Sequence, residues 1–254
     1  IWVGTADGIN KGEILEDGCI NWEHVNEGLA GNWIVDIQDH VTVDENNEVE
    51  RLWLVSWQSS GQGPHGLTYT EDNGETWQRR SAVFPSPVAP REWEPDVYTA
   101  VIRYPTFTFL PDGSIYALGL AYMPDGEEKN YSRVSDDGGK TWEPVRLVEG
   151  ISVRCPVLHW VGNTLVLHGR YTPDQDMIMH TSIDQGVTWS ARKIIQDYDT
   201  DGGYSSSVNL DGKSFMAFST DKGEQVLPRN HSHYEAEKIC GIQGVFLYPS
   251  KDEK

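Results

Sequence analysis

An eight-residue pattern, Ser/Thr-x-Asp-x-Gly-x-Thr-Trp, occurs three times without a flaw: TEDNGETW from Thr70, SDDGGKTW from Ser135 and SIDQGVTW from Ser182. A degraded fourth copy, LEDGCINW at 15–22, keeps the Asp and the Trp at the same separation. With the Asp as marker the copies stand at 17, 72, 137 and 184, roughly 47 to 65 residues apart, a period that belongs to propellers and solenoids. The pattern has the logic of a tight turn between two strands. Its carboxylate can accept hydrogen bonds from amides of the turn, its Gly supplies a positive φ, and its Trp packs beneath. Asp72, Asp137 and Asp184 therefore read as structural turn formers rather than as catalytic carboxylates.

Around each box the chain reads as short strands rich in β-branched and aromatic residues, with little helical periodicity. The third unit predicts strands over 100–110, 114–122, 131–135 and 143–148, and the fourth over 153–161, 164–171, 177–182 and 191–195. These are four-stranded antiparallel blades, so the fold class is all-β, a β-propeller of five or six blades formed by residues 1–254 as one domain. The first unit enters at IWVGTAD, which reads as a second strand, and the last unit, with strands at 204–210, 214–219 and 240–248, has no box. Either the terminal strands share a fifth blade, or residues ahead of Ile1 belong to a sixth. The chain begins without a Met or a leader, and its start is read as cut or processed.

Asp and Glu number 39 against 20 Lys and Arg, a net charge of −19, which argues against nucleic acid or an anionic membrane as partner. No apolar run approaches the roughly 20 residues of a membrane span. Cys19, Cys155 and Cys240 are scattered without CxxC spacing, so neither a zinc site nor a dense disulfide framework is indicated, and no cofactor is expected. Asn130-Tyr131-Ser132 and Asn230-His231-Ser232 fit the glycosylation triplet, a match too short to carry weight.

Blade topology decides which residues can meet. The starts of first strands, the ends of second strands and the two-to-three loops share one rim, and the boxes lie on the other. On the first rim fall Arg103, Arg154 and Tyr204 at first-strand starts and Arg170 at a second-strand end. Three guanidiniums gathered in so acidic a protein suit a carboxylate, which Arg grips bidentately; the bland alternative is three ordinary surface ion pairs. The two-to-three loops offer acids: Asp125, Glu127 and Glu128, then Asp174 and Asp176, then Asp221, Glu224, Glu235 and Glu237 beside His231 and His233. Asp125 is the favoured general acid because it shares a blade with Arg103. The His-x-His pair is a weak metal signal without a third ligand, and no metal is expected.

These residues resemble the sialidase superfamily over nearly the whole chain. RYPTFTFLPDGSIYAL from Arg103 is similar to the Arg-Ile-Pro segment whose Arg binds the substrate carboxylate. NTLVLHGRY, ending at Arg170 and Tyr171, is similar to the strand that brings a second triad Arg, and GYSSSVNLDGKSFMAFST to the Tyr-Ser segment of the last blade. The resemblance implies a glycoside hydrolase acting on a terminal acidic sugar of the sialic-acid type. Tyr204 would be nucleophile, Asp125 acid/base, and Arg103, Arg154 and Arg170 the anion clamp. It also implies a secreted, periplasmic or cell-surface setting. A Tyr nucleophile suits this substrate because a carboxylate nucleophile would repel the sugar's own carboxylate. The segment before Cys155 carries Arg154 where an acidic residue to activate the Tyr is expected, and Arg133 is an alternative third Arg. Two other readings stand beside this one: a non-catalytic propeller binding a glycan or protein on the same face, and a uronate-directed lyase or hydrolase using His65, His168 or His231.

Overall fold

A computed structural model describes residues 1–44, 47–57, 66–84, 102–123, 126–171, 173–174, 176–197, 204–210, 213–220 and 241–249. All regular structure among them is strand, arranged as five antiparallel sheets. The first holds β1 (Trp2–Thr5), β2 (Gly8–Ile14) and β3 (Ile20–His24). The second runs β4 (Trp33–Asp44), β5 (Asn47–Trp57), β6 (Gly66–Thr70) and β7 (Gln78–Ala82). The third has β8 (Ile102–Phe109), β9 (Ile115–Tyr122), β10 (Glu128–Ser135) and β11 (Arg146–Leu147). The fourth comprises β12 (Arg154–Val161), β13 (Thr164–Tyr171), β14 (Asp176–Ser182) and β15 (Lys193–Gln196), and the fifth β16 (Ser205–Leu210), β17 (Lys213–Thr220) and β18 (Gly241–Leu247). Each strand pairs with its neighbours in chain order, the meander of a blade.

Among the described residues the first and last units each form a three-stranded sheet. β2 and β3 flank the degraded box as β6 and β7 flank an intact one, which puts β1 in the second-strand place.

The chain divides into two compact units: Ile1–Glu127 with Tyr131–Leu147, and Glu128–Asn130 with Val148–Lys254. In the first unit Trp53, Val55, Leu67 and Tyr69 pack with Phe84, Ile102, Phe107, Ile115 and Tyr131, while Ile9, Leu29, Ile34, Leu54 and Trp77 form a second cluster. In the second unit Met177, Met216 and Phe218 are buried together. The near-continuous burial of IYALGLAY in β9 follows from its apolar run, which leaves no face for water.

Each intact box builds the same turn. In the third sheet Asp137 Oδ1 accepts from the backbone N–H groups of Lys140 and Thr141, each at 2.9 Å, and from the Ser135 hydroxyl at 2.9 Å. The Thr141 hydroxyl donates to Oδ2 at 2.7 Å, and Ser135 Oγ accepts from Gly139 N–H at 2.8 Å. The turn needs two successive left-handed residues, Asn73 and Gly74 (φ 56° and 90°) in one copy and Gln185 and Gly186 (φ 61° and 87°) in another. These bonds hold the Asp72 and Asp137 carboxyls down at about 2 and lower that of Asp184.

Candidate arginine and tyrosine site

The register of the fourth sheet separates its two ends. Ser182, which opens the box, pairs with Leu165 at one end, whereas Arg170 pairs with Met177 and Tyr171 with Asp176 at the other. Five residue steps of extended strand, about 17 Å, separate Leu165 from Arg170.

At the second end two arginines meet. Arg154 and Arg170 are direct partners across β12 and β13, so their side chains leave the same face of the sheet. Arg170 is 5% exposed. Its guanidinium carbon stands 5.9 Å from the ring centroid of Tyr204, which is 60% exposed, so one cation is sunk in the protein and the phenol beside it meets solvent. Glu128 reaches to 3.9 Å from Arg154 Nη1 with its side chain 7% exposed. The structure thus brings Arg154, Arg170 and Tyr204 together within the second unit, with Glu128 as a fourth member.

A local device builds this end. Arg154 is followed by Cys155 at φ 50° and by a proline, and the register slips before Val157 pairs with His168. Arg103 is followed by Tyr104 at φ 51° and by a proline, with the same slip before Thr106. A positive φ is strained for Tyr and Cys, and such strain collects at functional sites. Both bulges face a glycine, for a close approach of backbones: a Cβ on Gly169 would come within 2.7 Å of the Arg154 carbonyl and 2.9 Å of that of Cys155. The Arg-x-Pro of Arg103 thus recurs at Arg154, and the sequence shows both copies, RYP at 103–105 and RCP at 154–156.

Arg154 is also held from β10. Asn130 is fully buried; its amide donates to the Val153 carbonyl at 2.9 Å and accepts from Val153 N–H at 2.7 Å. That occupancy leaves no free amide for a glycan in the folded chain.

In the first unit, Arg103 lies over the Tyr122 ring at 5.0 Å. Asp36, which sequence reasoning missed, is buried beside the same strand. Its carboxylate accepts from the Thr106 hydroxyl at 2.6 Å and from Phe107 N–H at 3.1 Å, and burial pushes its pKa up to about 6. A lone Asp inside the apolar run WIVDI was the available signal.

Other expectations fall elsewhere. Asp125, His65, His231, His233, Asp221, Glu224, Glu235, Glu237, Asn230 and Cys240 lie outside the described residues. Arg133 is committed to backbone, donating to the carbonyls of Val83, Trp142 and Glu143, and so is no third clamp residue. Asp174 pairs with Arg192 at 3.5 Å with its side chain still 55% exposed, whereas Asp176 is buried at 6% exposure and offers no open acid. His168 is fully buried. Among the described residues no three His, Cys, Asp or Glu side chains gather as metal ligands would, and no helix is long and apolar enough to cross a membrane.

Residues 31–238 match the family model of the BNR repeat-like domain. No curated protein matches the sequence. Among solved structures, the chain is similar to a mutant of the NanB sialidase from Streptococcus pneumoniae at 17% identity and TM-score 0.60, over 94% of this chain and 35% of that one. A Dyadobacter fermentans protein of unknown function aligns at 15% identity and TM-score 0.56, over 95% of this chain and 68% of that one. An exo-beta-1,3-galactanase from Phanerochaete chrysosporium aligns at 10% identity and TM-score 0.52, over 87% and 48%. The chain spans about a third of the length of the NanB structure. At these identities the likeness bears on the fold, and it makes the five sheets blades of a β-propeller.

Proposed function

Because the chain belongs to the BNR repeat-like domain family, we propose that it acts on glycans, and that it cleaves a terminal acidic sugar of the sialic-acid type. One observation carries the reading: Arg154 and Arg170 stand directly opposite on adjacent strands, with Tyr204 beside Arg170. Like charges paired across a sheet repel, and a buried guanidinium is costly, so the arrangement favours an anion between them. A planar carboxylate meets two forks bidentately, and the half-exposed Tyr204 would attack the adjacent anomeric carbon as the glycosidic C–O bond breaks, the phenol giving up its proton to water or a carboxylate and the leaving oxygen taking one from an acid. A phenol does so without repelling the substrate's own charge. Glu128, against Arg154, orients that guanidinium. Arg103 as a further anion ligand and Asp125 as acid/base are separate proposals, each answered by its own variant.

The likeness to a sialidase and to a galactanase supports a sugar substrate in general, and the arginine pair supports the acidic class. Fluorophore release from a sialoside is the test. Turnover by the native chain that is lost in Tyr204→Phe supports the reading; turnover undiminished in that variant removes Tyr204 from the chemistry. Binding of the free acid without any cleavage would leave a lectin-like protein on the same residues.

A further inference from the structure

The fourth blade contains a histidine that the proposed chemistry does not use. His168 sits in mid-β13, fully buried, where its neighbours in sequence are the apolar Leu167 and Gly169. Burying an imidazole in such a place costs free energy that a leucine would not, unless the ring makes a directional bond that leucine cannot. It makes one: His168 Nδ1 lies 2.8 Å from Ser205 Oγ. Nε2 has no hydrogen-bond partner among the described residues. The ring of His159 stands edge-on at 5.0 Å and 65°, and burial together with that neighbour keeps His168 neutral.

Ser205 is the first residue of β16 and directly follows Tyr204. His168 and Arg170, two apart on one strand, point to the same face of the sheet. That face therefore meets the start of β16 twice in succession, through His168 to Ser205 and through Arg170 to the Tyr204 ring. Met177 of the fourth sheet packs with Met216 and Phe218 of the fifth, contacts that are non-directional. The His168–Ser205 hydrogen bond adds a directional contact at the start of β16.

We propose that His168 is a positioning residue, whose bond to Ser205 sets the register of β16 and so keeps the Tyr204 phenol over Arg170. The kinetic side of this inference rests on Tyr204 being the nucleophile; the geometric side does not. Ser205→Ala removes the bond with little change of volume at a partly exposed site, and Ser205→Thr keeps the hydroxyl.

Two readouts on the full chain separate the inferences. The first is the NMR resonance of the Arg170 Nε–H, which senses the Tyr204 ring and is assigned with Tyr204→Leu. It is expected to move in Ser205→Ala toward its Tyr204→Leu position and to return in Ser205→Thr. The second is steady-state hydrolysis of a sialoside. There kcat is expected to fall about tenfold to a hundredfold in Ser205→Ala, with KM within about twofold and with recovery in Ser205→Thr, since misplacing a reacting group by about 1 Å costs on that order. A resonance that stays put in Ser205→Ala overturns the proposal, whatever the activity. A resonance that moves in a chain without turnover upholds the positioning and counts against the enzymatic reading instead. Should Ser205→Ala fold poorly, His168→Asn, which can reproduce Nδ1, is expected to hold the native resonance and His168→Gln to lose it; equal behaviour of the two overturns the proposal.

Discussion

The two ends of the fourth blade treat polar groups in opposite ways. At the box end, Asp184 accepts from the Ser182 hydroxyl at 2.7 Å and from Thr188 N–H at 2.8 Å, and Ser182 Oγ accepts from Gly186 N–H at 2.8 Å. The anion is matched by donors of its own turn. At the other end, two arginines are direct partners across β12 and β13, and the chain supplies bulges, a strained Cys155 and a clamping Asn130 to keep them there. A turn whose groups satisfy one another serves the fold. The arginine end, on the proposed reading, serves an anionic ligand, and substitutions at the two ends should therefore separate stability from activity.

The largest effect is expected at the arginine end. Arg170→Met removes half of the facing pair, and loss of a desolvated charge pair with a ligand carboxylate lowers anion affinity by roughly 30-fold to a thousandfold, about 2–4 kcal/mol. The melting temperature is expected to fall less than in a box variant, because an apolar chain of similar length keeps the buried packing. Calorimetric titration with a sialic acid and a melting scan check the two halves. A fall in melting temperature comparable to that of a box variant would erase the contrast.

Acid should strike between the ends. His159, buried with His168, has its pKa lowered to about 4 by burial. The unfolded imidazole takes a proton near 6.5 and the folded one does not, so stability from this group is present above about 6.5 and falls as the pH drops toward 4, by on the order of 3 kcal/mol. Asp36 in the first unit works in the opposite sense. Its folded pKa of about 6 exceeds the unfolded value, so its burden is relieved on acidification through the same window. Hydrogen exchange corrected for intrinsic rates is expected to show β12 and β13 loosening between pH 6.5 and 4 while β4 and β8 tighten. His159→Leu is expected to flatten the first slope and Asp36→Asn the second.

Asp184→Ala comes next, at about 1–2 kcal/mol of stability by denaturant titration, the worth of a lost capping carboxylate that leaves donors of its turn unmet. Sugar affinity measured below the melting range should be unchanged. A variant that lost affinity while keeping its melting temperature would put the box into the chemistry after all.

How much of this was legible divides along the same line. The boxes are local: eight consecutive residues contain donors, acceptor, left-handed Gly and Trp, so reading them in order recovers turn, flanking strands and blade. The arginine end is assembled from separate strands. Its rim was deduced from topology, and Arg154, Arg170 and Tyr204 do converge, but the contacts that hold them were not in any one stretch. β10 was expected to start at Tyr131; it starts at Glu128, and the three added residues carry Glu128 to Arg154 and Asn130 to Val153. The sequence EKN has neither the β-branched residues nor the alternation that marks a strand. His168 likewise read as a possible base, because burial is a property of neighbouring sheets and not of the residue.

The smallest expected effect tests whether the box itself, and not merely a turn in that place, supplies stability. In the first sheet Asp17 keeps one bond, from Cys19 N–H at 2.9 Å, because Leu15 stands where the intact copies have Ser or Thr and Asn21 where they have Thr. Its Trp22 is 47% exposed, against 9% for Trp77 of the second sheet. The backbone is nonetheless prepared for the motif: Gly18 already adopts φ 82°, and Leu15 N–H already donates across the turn to Cys19 at 2.8 Å. Leu15→Ser with Asn21→Thr would return a hydroxyl to each side of Asp17 without removing any buried apolar group, since Leu15 is 42% exposed. Two added side-chain bonds at an exposed turn are worth about 0.5–1 kcal/mol together, read as a rise of a few degrees in melting temperature with slower exchange at the Asn21 amide. If the melting temperature stays put while that exchange slows, the turn has formed but its sheet does not limit unfolding. If both stay put, the hydroxyls contribute nothing without the adjacent Gly of position five, which is Cys19 here, and the left-handed pair becomes the indispensable part of the motif.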